Sequence, residues 1–137
     1  MEKLVAPEIS LGGNFAYDIN GQYYNTTTIY GYIRRKEVET SYETLLAIMN
    51  SDLCWWFLKH TDSVLANGYF RFKPAYLKPF PFPNISEEND MKIKKIVKEI
   101  MHNDDYKSGD INNQINRYVY ELYNLDKNDI NIISNNL

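Results

Sequence analysis

Asn67-Gly68-Tyr69-Phe70-Arg71-Phe72-Lys73-Pro74-Ala75-Tyr76-Leu77-Lys78-Pro79-Phe80-Pro81-Phe82-Pro83 divides the chain into two parts of different character. Up to Lys73 the side chains alternate, Phe70 and Phe72 to one side and Tyr69, Arg71 and Lys73 to the other, which is the period-two pattern of a strand. The prolines at 74, 79, 81 and 83 each lack an amide donor. Such a segment fits the edge of a sheet and an extended connection leading away from it, not a central strand. Strand and hairpin signals dominate before it, and only helical periodicity follows it.

On the N-terminal side, Leu4-Val5-Ala6-Pro7-Glu8-Ile9-Ser10 reads as a strand that begins with no capping or linker residues before it, as expected of a piece of a longer protein. Phe15-Ala16-Tyr17-Asp18-Ile19 and Gln22-Tyr23-Tyr24 flank Asn20-Gly21, the dipeptide best suited to the positive φ angles of a two-residue hairpin turn. The β-branched and aromatic residues 26–33 predict a further strand ending in Arg34-Arg35-Lys36. Thr40-Ser41-Tyr42-Glu43 matches a capping box, which starts a helix with its cap at Thr40. Leu45, Leu46, Ile48, Met49, Leu53, Trp56 and Phe57 then recur at helical spacing, with Asn50-Ser51-Asp52 as a kink or restart.

Beyond Pro83, Ser86 can cap a helix whose apolar stripe is Ile93, Ile96, Val97, Ile100 and Met101, with Lys92, Lys95 and Glu99 toward solvent. Residues 103–109 read as a loop. Asp110 can cap a second helix aligned on Ile111, Ile115, Val119 and Leu122, and Asp126 a third carrying Ile130 and Ile133. Helices this short cannot bury their faces alone and must pack on one another and on the preceding part. The pattern is an α+β fold: a small mixed or antiparallel sheet with a helical hairpin, followed by C-terminal amphipathic helices. The expected division is residues 1–85 and a helical subdomain, 86–137, packed on them.

At 137 residues the chain has room for one domain with an appendage and not for a large enzyme such as a complete adenosylmethionine-dependent methyltransferase. Its 15 % aromatic content argues against disorder over most of the length. The longest apolar runs are a few residues, too short for a membrane span, and the N-terminus lacks a signal-peptide pattern. Cys54 is the single cysteine, which fits a reducing cytoplasm.

No catalytic constellation emerges. His60 and His102 fall in different helices without metal-ligand spacing and read as surface residues, and Cys54 beside Trp55 and Trp56 reads as a core thiol. Gly12-Gly13 reads as a turn, lacking the longer pattern of a phosphate loop. Asp90-Met91-Lys92 has half the look of a nuclease metal motif, but no partner carboxylate precedes it. It reads as a solvated helix N-terminus with acids near the positive end of the dipole.

Net charge is −3, which taken over the whole chain argues mildly against a nucleic-acid binder. Residues 1–83 carry eight basic and eight acidic side chains, so the excess acid lies entirely in the helical tail. Within the neutral part the cations gather at Arg34-Arg35-Lys36 and along 69–78, interleaved with Tyr69 and Tyr76. This grouping suits phosphate and base contacts, and suits solvated strand ends equally.

Five segments in order carry a resemblance: the opening Val5-Ala6-Pro7-Glu8-Ile9-Ser10 with its Asn-Gly turn, Leu45-Leu46-Ala47-Ile48-Met49-Asn50-Ser51, Trp55-Trp56-Phe57-Leu58-Lys59, residues 68–83, and the tail 115–125. Together the chain resembles the TaqI-like C-terminal specificity domain of adenine-specific DNA methyltransferases and single-chain restriction-modification enzymes. The resemblance implies a target-recognition domain that grips double-stranded DNA while a catalytic domain, absent from these residues, carries the S-adenosylmethionine site, the Asn-Pro-Pro-Tyr-type motif and any endonuclease activity. Neither a cofactor nor catalysis is expected of this part itself. The implied DNA face is Arg34, Arg35, Lys36, Tyr69, Arg71, Lys73 and Lys78. Two other readings stand beside it: half of a type I restriction specificity subunit, which shares the Leu-Asn-Ser helix and the proline-rich exit, and a protein-interaction module using its aromatic surface.

Overall fold

The computed structural model describes residues 1–7, 9–10, 15–22, 29–61, 70–71, 77–102 and 108–137. Strand β1 (Lys3–Pro7) is the centre of a three-stranded antiparallel sheet, flanked by β3 (Ala16–Asp18) and β4 (Ile29–Tyr32). Leu4 lies opposite Tyr17 on one side and Tyr32 on the other. Leu4 and Ala6 are buried while their neighbours are only half-buried, the alternation of a strand with one face on the core. The two-residue strands β2 (Ile9–Ser10) and β5 (Phe70–Arg71) pair antiparallel, Ile9 opposite Arg71. Among the described residues β5 has β2 as its one neighbour, in keeping with the edge position that the prolines demand.

The Asn20-Gly21 turn differs from the sequence expectation. A two-residue turn of the expected kind needs positive φ at both positions, and of the two only Gly21 has it, at 63°. The chain instead reverses through Ile19 and Asn20, with the Gly21 amide donating to the Asp18 carbonyl (3.4 Å) and the Gln22 amide to the Asp18 carboxylate (3.1 Å). Asp18 also receives Lys3 Nζ at 3.1 Å, so this corner is tied to the start of β1. The strand described on the near side of the turn, β3, pairs with β1. Residues 23–24, the expected hairpin partner, lie outside the described residues, as do 26–28 of the next strand.

Helix α1 (Tyr42–Met49) begins one residue later than the sequence pattern predicts. Its cap is Ser41, whose Oγ accepts from the Thr44 amide, so the Thr40–Glu43 capping box does not form. Threonine and serine are adjacent here and both can cap; tertiary hydrogen bonds to Ser41, described below, favour the second. Asn50-Ser51 ends α1, and Ser51 caps a new helix, α2 (Asp52–Lys59), so the interruption is a restart. Helix α3 (Glu87–Met101) is capped by Ser86 and buries Ile93 and Val97. Helix α4 runs Ser108–Leu122, starting two residues before the expected cap at Asp110. Helix α5 (Lys127–Asn135) is capped by Asp126, with a reciprocal bond from the Asp126 amide to Asp129.

Tyr42, Glu43, Thr44 and Leu46 to Met49 are all buried, so α1 is covered on nearly every side, as a central helix must be. It packs on β1 and β3, on α2, and on α3 and α4. Helix α2 packs on α4 and α5. One hydrophobic cluster runs from Leu4, Ala6 and Phe15 through Ile48, Cys54 and Leu58 to Ile93, Val97, Val119 and Ile133. The tail helices thus share a core with the sheet and with α1 and α2. Among the described residues no helix is long and apolar enough to cross a membrane.

Candidate nucleic-acid interface

An open groove of about 1500 Å³ runs between the end of β4, helix α1, the connection 77–85 and the N-terminal half of α3. That exceeds the roughly 300–1,000 Å³ of a small-ligand pocket and fits a surface for a macromolecule better than a substrate site. Its floor includes Leu4, Phe15, Leu45 and Phe80. Ile33, Phe82 and Met91 stand exposed at its sides. Three of the cations expected from the sequence, Arg34, Arg35 and Lys78, line it, although Lys78 is more than forty positions from the others.

Each of those cations is held differently. Arg34 is half-buried; its Nη1 donates to the Thr40 carbonyl at 2.6 Å and its guanidinium lies 5.0 Å over the Tyr42 ring. The Arg34 amide donates to Tyr42 Oη (2.9 Å), which in turn donates to the Glu2 carbonyl (3.1 Å). Tyr42 also stacks on Tyr17 at 5.2 Å, and Tyr17 donates to Glu2 at 2.6 Å. Arg34 is therefore a fixed part of the groove wall. Arg35 and Lys36 are exposed on the turn closed by the Val38 amide on the Arg35 carbonyl, and Lys36 does not line the groove. Lys78 is exposed on a turn closed by the Phe80 amide on the Leu77 carbonyl (2.9 Å). That turn is rigid because Phe80 is buried and packs edge-on against Phe57 and beside Tyr123. Arg71 sits on β5, and Tyr69 and Lys73 lie outside the described residues.

Cys54 is fully buried in α2 and burial pushes its thiol up to about 12, away from any reactive thiolate. His60 is exposed at the C-terminus of α2, its Nδ1 2.8 Å from the Trp56 carbonyl, and His102 is exposed at the end of α3. Among the described residues no group of three His, Cys, Asp or Glu is placed to hold a metal ion.

The TaqI-like C-terminal specificity domain matches residues 1–82. The chain belongs to this family. It is a DNA target-recognition module of the restriction-modification type. No curated protein matches the chain significantly.

The groove of this specificity domain extends beyond the matched stretch: Pro83, Asn84, Glu87, Asp90, Met91 and Lys94 form its far side. Asp90 corrects the sequence reading of a solvated helix start. Its Oδ1 accepts from both the Ser41 amide (3.1 Å) and Ser41 Oγ (2.9 Å), and its carbonyl accepts from Thr44 Oγ1 (3.3 Å). The carboxylate thus fixes α3 across the start of α1. Two other side chains join distant segments similarly. Asn50 both accepts from and donates to the Phe15 backbone, at 2.9 Å each, and Asn116 of α4 accepts from the Asp52 amide at 2.9 Å. An isolated Asp, Asn or Ser near a helix end looks the same in sequence whether it caps its own helix or another, so these roles left no sequence signal.

Proposed function

We propose that this specificity domain reads duplex DNA for an adenine-specific DNA methyltransferase, with adenosylmethionine, base flipping and methyl transfer supplied by a catalytic domain. The membership of residues 1–82 in the family carries the reading. Its geometric support is the groove on which Arg35 and Lys78 converge beside the fixed guanidinium of Arg34. The DNA face in this proposal comprises Arg34, Arg35, Lys36 and Lys78 together with Tyr69, Arg71 and Lys73. Glu37, Glu39 and Glu87 line the same groove, so it carries no large positive field. Charges of both signs suit a surface that reads base edges, since Arg donates to guanine O6 and N7 while Glu accepts from cytosine N4. A domain with few phosphate contacts also leaves much of the cost of unstacking a flipped adenine to the assembled enzyme.

The test is binding of the chain to duplex DNA as salt is raised. A DNA reader loses affinity steeply, whereas an aromatic protein-interaction surface holding the same probe by apolar contact does not. The isolated chain is expected to bind in the weak range of about 10⁻⁴–10⁻⁶ M. Arg71→Ala with Lys73→Ala should weaken it without altering the thermal melt. Unchanged affinity in that double variant would remove the β5 segment from the proposed face. An open frame next to the gene encoding the adenosylmethionine and Asn-Pro-Pro-Tyr-type motifs is the expected genetic setting; two tandem recognition units without them would favour the type I specificity subunit.

A further inference from the structure

We infer that Lys94, on helix α3 and beyond the matched family stretch, is a DNA-backbone contact that closes the far side of the recognition groove. The inference rests on the DNA reading proposed above. Lys94 is half-buried and lines the groove that Arg34, Arg35 and Lys78 also line. Asp90 stands four residues earlier on the same helix, the spacing at which an aspartate and a lysine ordinarily pair. They do not pair here, because Asp90 Oδ1 is turned onto Ser41. Among the described residues the Lys94 ammonium has neither an ion pair nor a hydrogen bond. That ammonium, on the groove wall and without a partner among the described residues, is available to an anion.

The geometry selects Lys94 from the four lysines of α3. Lys92 pairs with Glu88 at 3.3 Å, and Lys95 and Lys98 are exposed and do not line the groove. The anion that suits a lysine here is phosphate: a compact ammonium on a flexible stem contacts a backbone oxygen without selecting a base. Since Asp90 sets the position of α3 against α1, the same carboxylate that leaves Lys94 unpaired also orients it.

The experiment is fluorescence anisotropy of the full chain on a mixed-sequence duplex of about 30 base pairs, between about 50 and 200 mM salt. Lys94→Ala is expected to weaken binding alike on different sequences and to lower the slope of log K against log salt by about 0.9, one phosphate contact. Lys94→Arg should restore the slope, and Lys95→Ala should leave it unchanged. A slope in Lys94→Ala equal to wild type, or a Lys95→Ala variant that loses as much, overturns the inference while the DNA reading stands; that is also the result if this wall serves a protein face. Wild-type affinity that does not fall with salt overturns the DNA reading itself. Midpoints of urea unfolding matching wild type in all three variants exclude loss of fold as the cause.

Discussion

Replacing Ser41 by alanine separates what a helix cap contributes from what the same hydroxyl contributes by joining two helices. Three serines cap helices here with the same local geometry: Ser41, Ser51 and Ser86 each accept from the amide three residues on. Ser86 is exposed and has only that role among the described residues, so Ser86→Ala should cost about 1 kcal/mol, the ordinary cap value. Ser41 is buried, and its hydroxyl also meets the Asp90 carboxylate at 2.9 Å. A hydrogen bond to a charged group contributes about 1.5–3 kcal/mol, and the lower end applies because water can reach half-exposed Asp90 once the hydroxyl is gone. Ser41→Ala should therefore cost about 2–3 kcal/mol. With a urea m-value of about 1–3 kcal/mol/M, that is a fall in midpoint of roughly 1 M or more. Equilibrium urea unfolding followed by circular dichroism measures both variants on one scale. Asp90→Asn, which keeps an acceptor oxygen and loses the charge, should fall between them, and a cycle of Ser41→Ala with Asp90→Ala should give coupling of about 1 kcal/mol or more. A Ser41→Ala midpoint no lower than that of Ser86→Ala would refute the reasoning, since the contact across to α3 would then contribute nothing.

Other substitutions test separate parts of the fold. Burial raises the Asp52 carboxyl above its ordinary range despite its place in the first turn of α2, so desolvation outweighs the helix dipole there. The folded state then holds the Asp52 proton more tightly than the unfolded chain. The ionised form opposes folding at neutral pH, and that cost disappears as pH falls below the unfolded value. Asp52→Asn should accordingly raise the melting temperature at pH 7 and change it little near pH 3, as parallel melts would reveal. Gly21→Ala should cost about 1–2 kcal/mol because φ is 63°, and more if the Met1 backbone, which a Cβ there would strike, cannot move; Gly21→Asn should cost less, since asparagine tolerates that conformation. Cys54, fully buried with its thiol at about 12, should react with a thiol reagent only through opening of the core, so its labelling rate should rise with urea in step with unfolding.

Where the sequence was legible and where it was not follows from the range of the interactions concerned. Period and capping act over a few residues, so the restart at Asn50-Ser51-Asp52, the Ser86 cap and the Asp126 cap could all be read directly. The start of α1 could not, because Thr40 and Ser41 are locally equivalent and the choice is made by Asp90, forty-nine positions away. The Asn20-Gly21 dipeptide signalled a turn, but its type was decided by Asp18, which holds Gln22 on one oxygen and Lys3 on the other. The alternating aromatic run at 69–73 predicted an edge strand, and β5 meets β2 there; the sequence had no means of showing that the partner would be Ile9-Ser10.

Charge has to be assigned by position before it bears on recognition. Residues 1–83 are neutral in sum, yet two cations that look equivalent beside each other in Arg34-Arg35 are not equivalent once folded. Arg34 donates to Thr40 and lies over Tyr42, so its removal would disturb the groove wall as well as its charge. Arg35 is exposed, and removing it subtracts charge with little change in packing. Binding losses from the two therefore have different meanings. Arg35→Ala should lower the salt slope by about 0.9 if the side chain meets a phosphate. Arg34→Ala should weaken binding and the urea midpoint together, and Arg34→Lys should fail to rescue either, because a lysine lacks the planar fork that lies over Tyr42 while donating to Thr40. Full rescue by lysine would mean that position 34 acts through its charge alone, and the rigid wall inferred from its hydrogen bonds would be wrong.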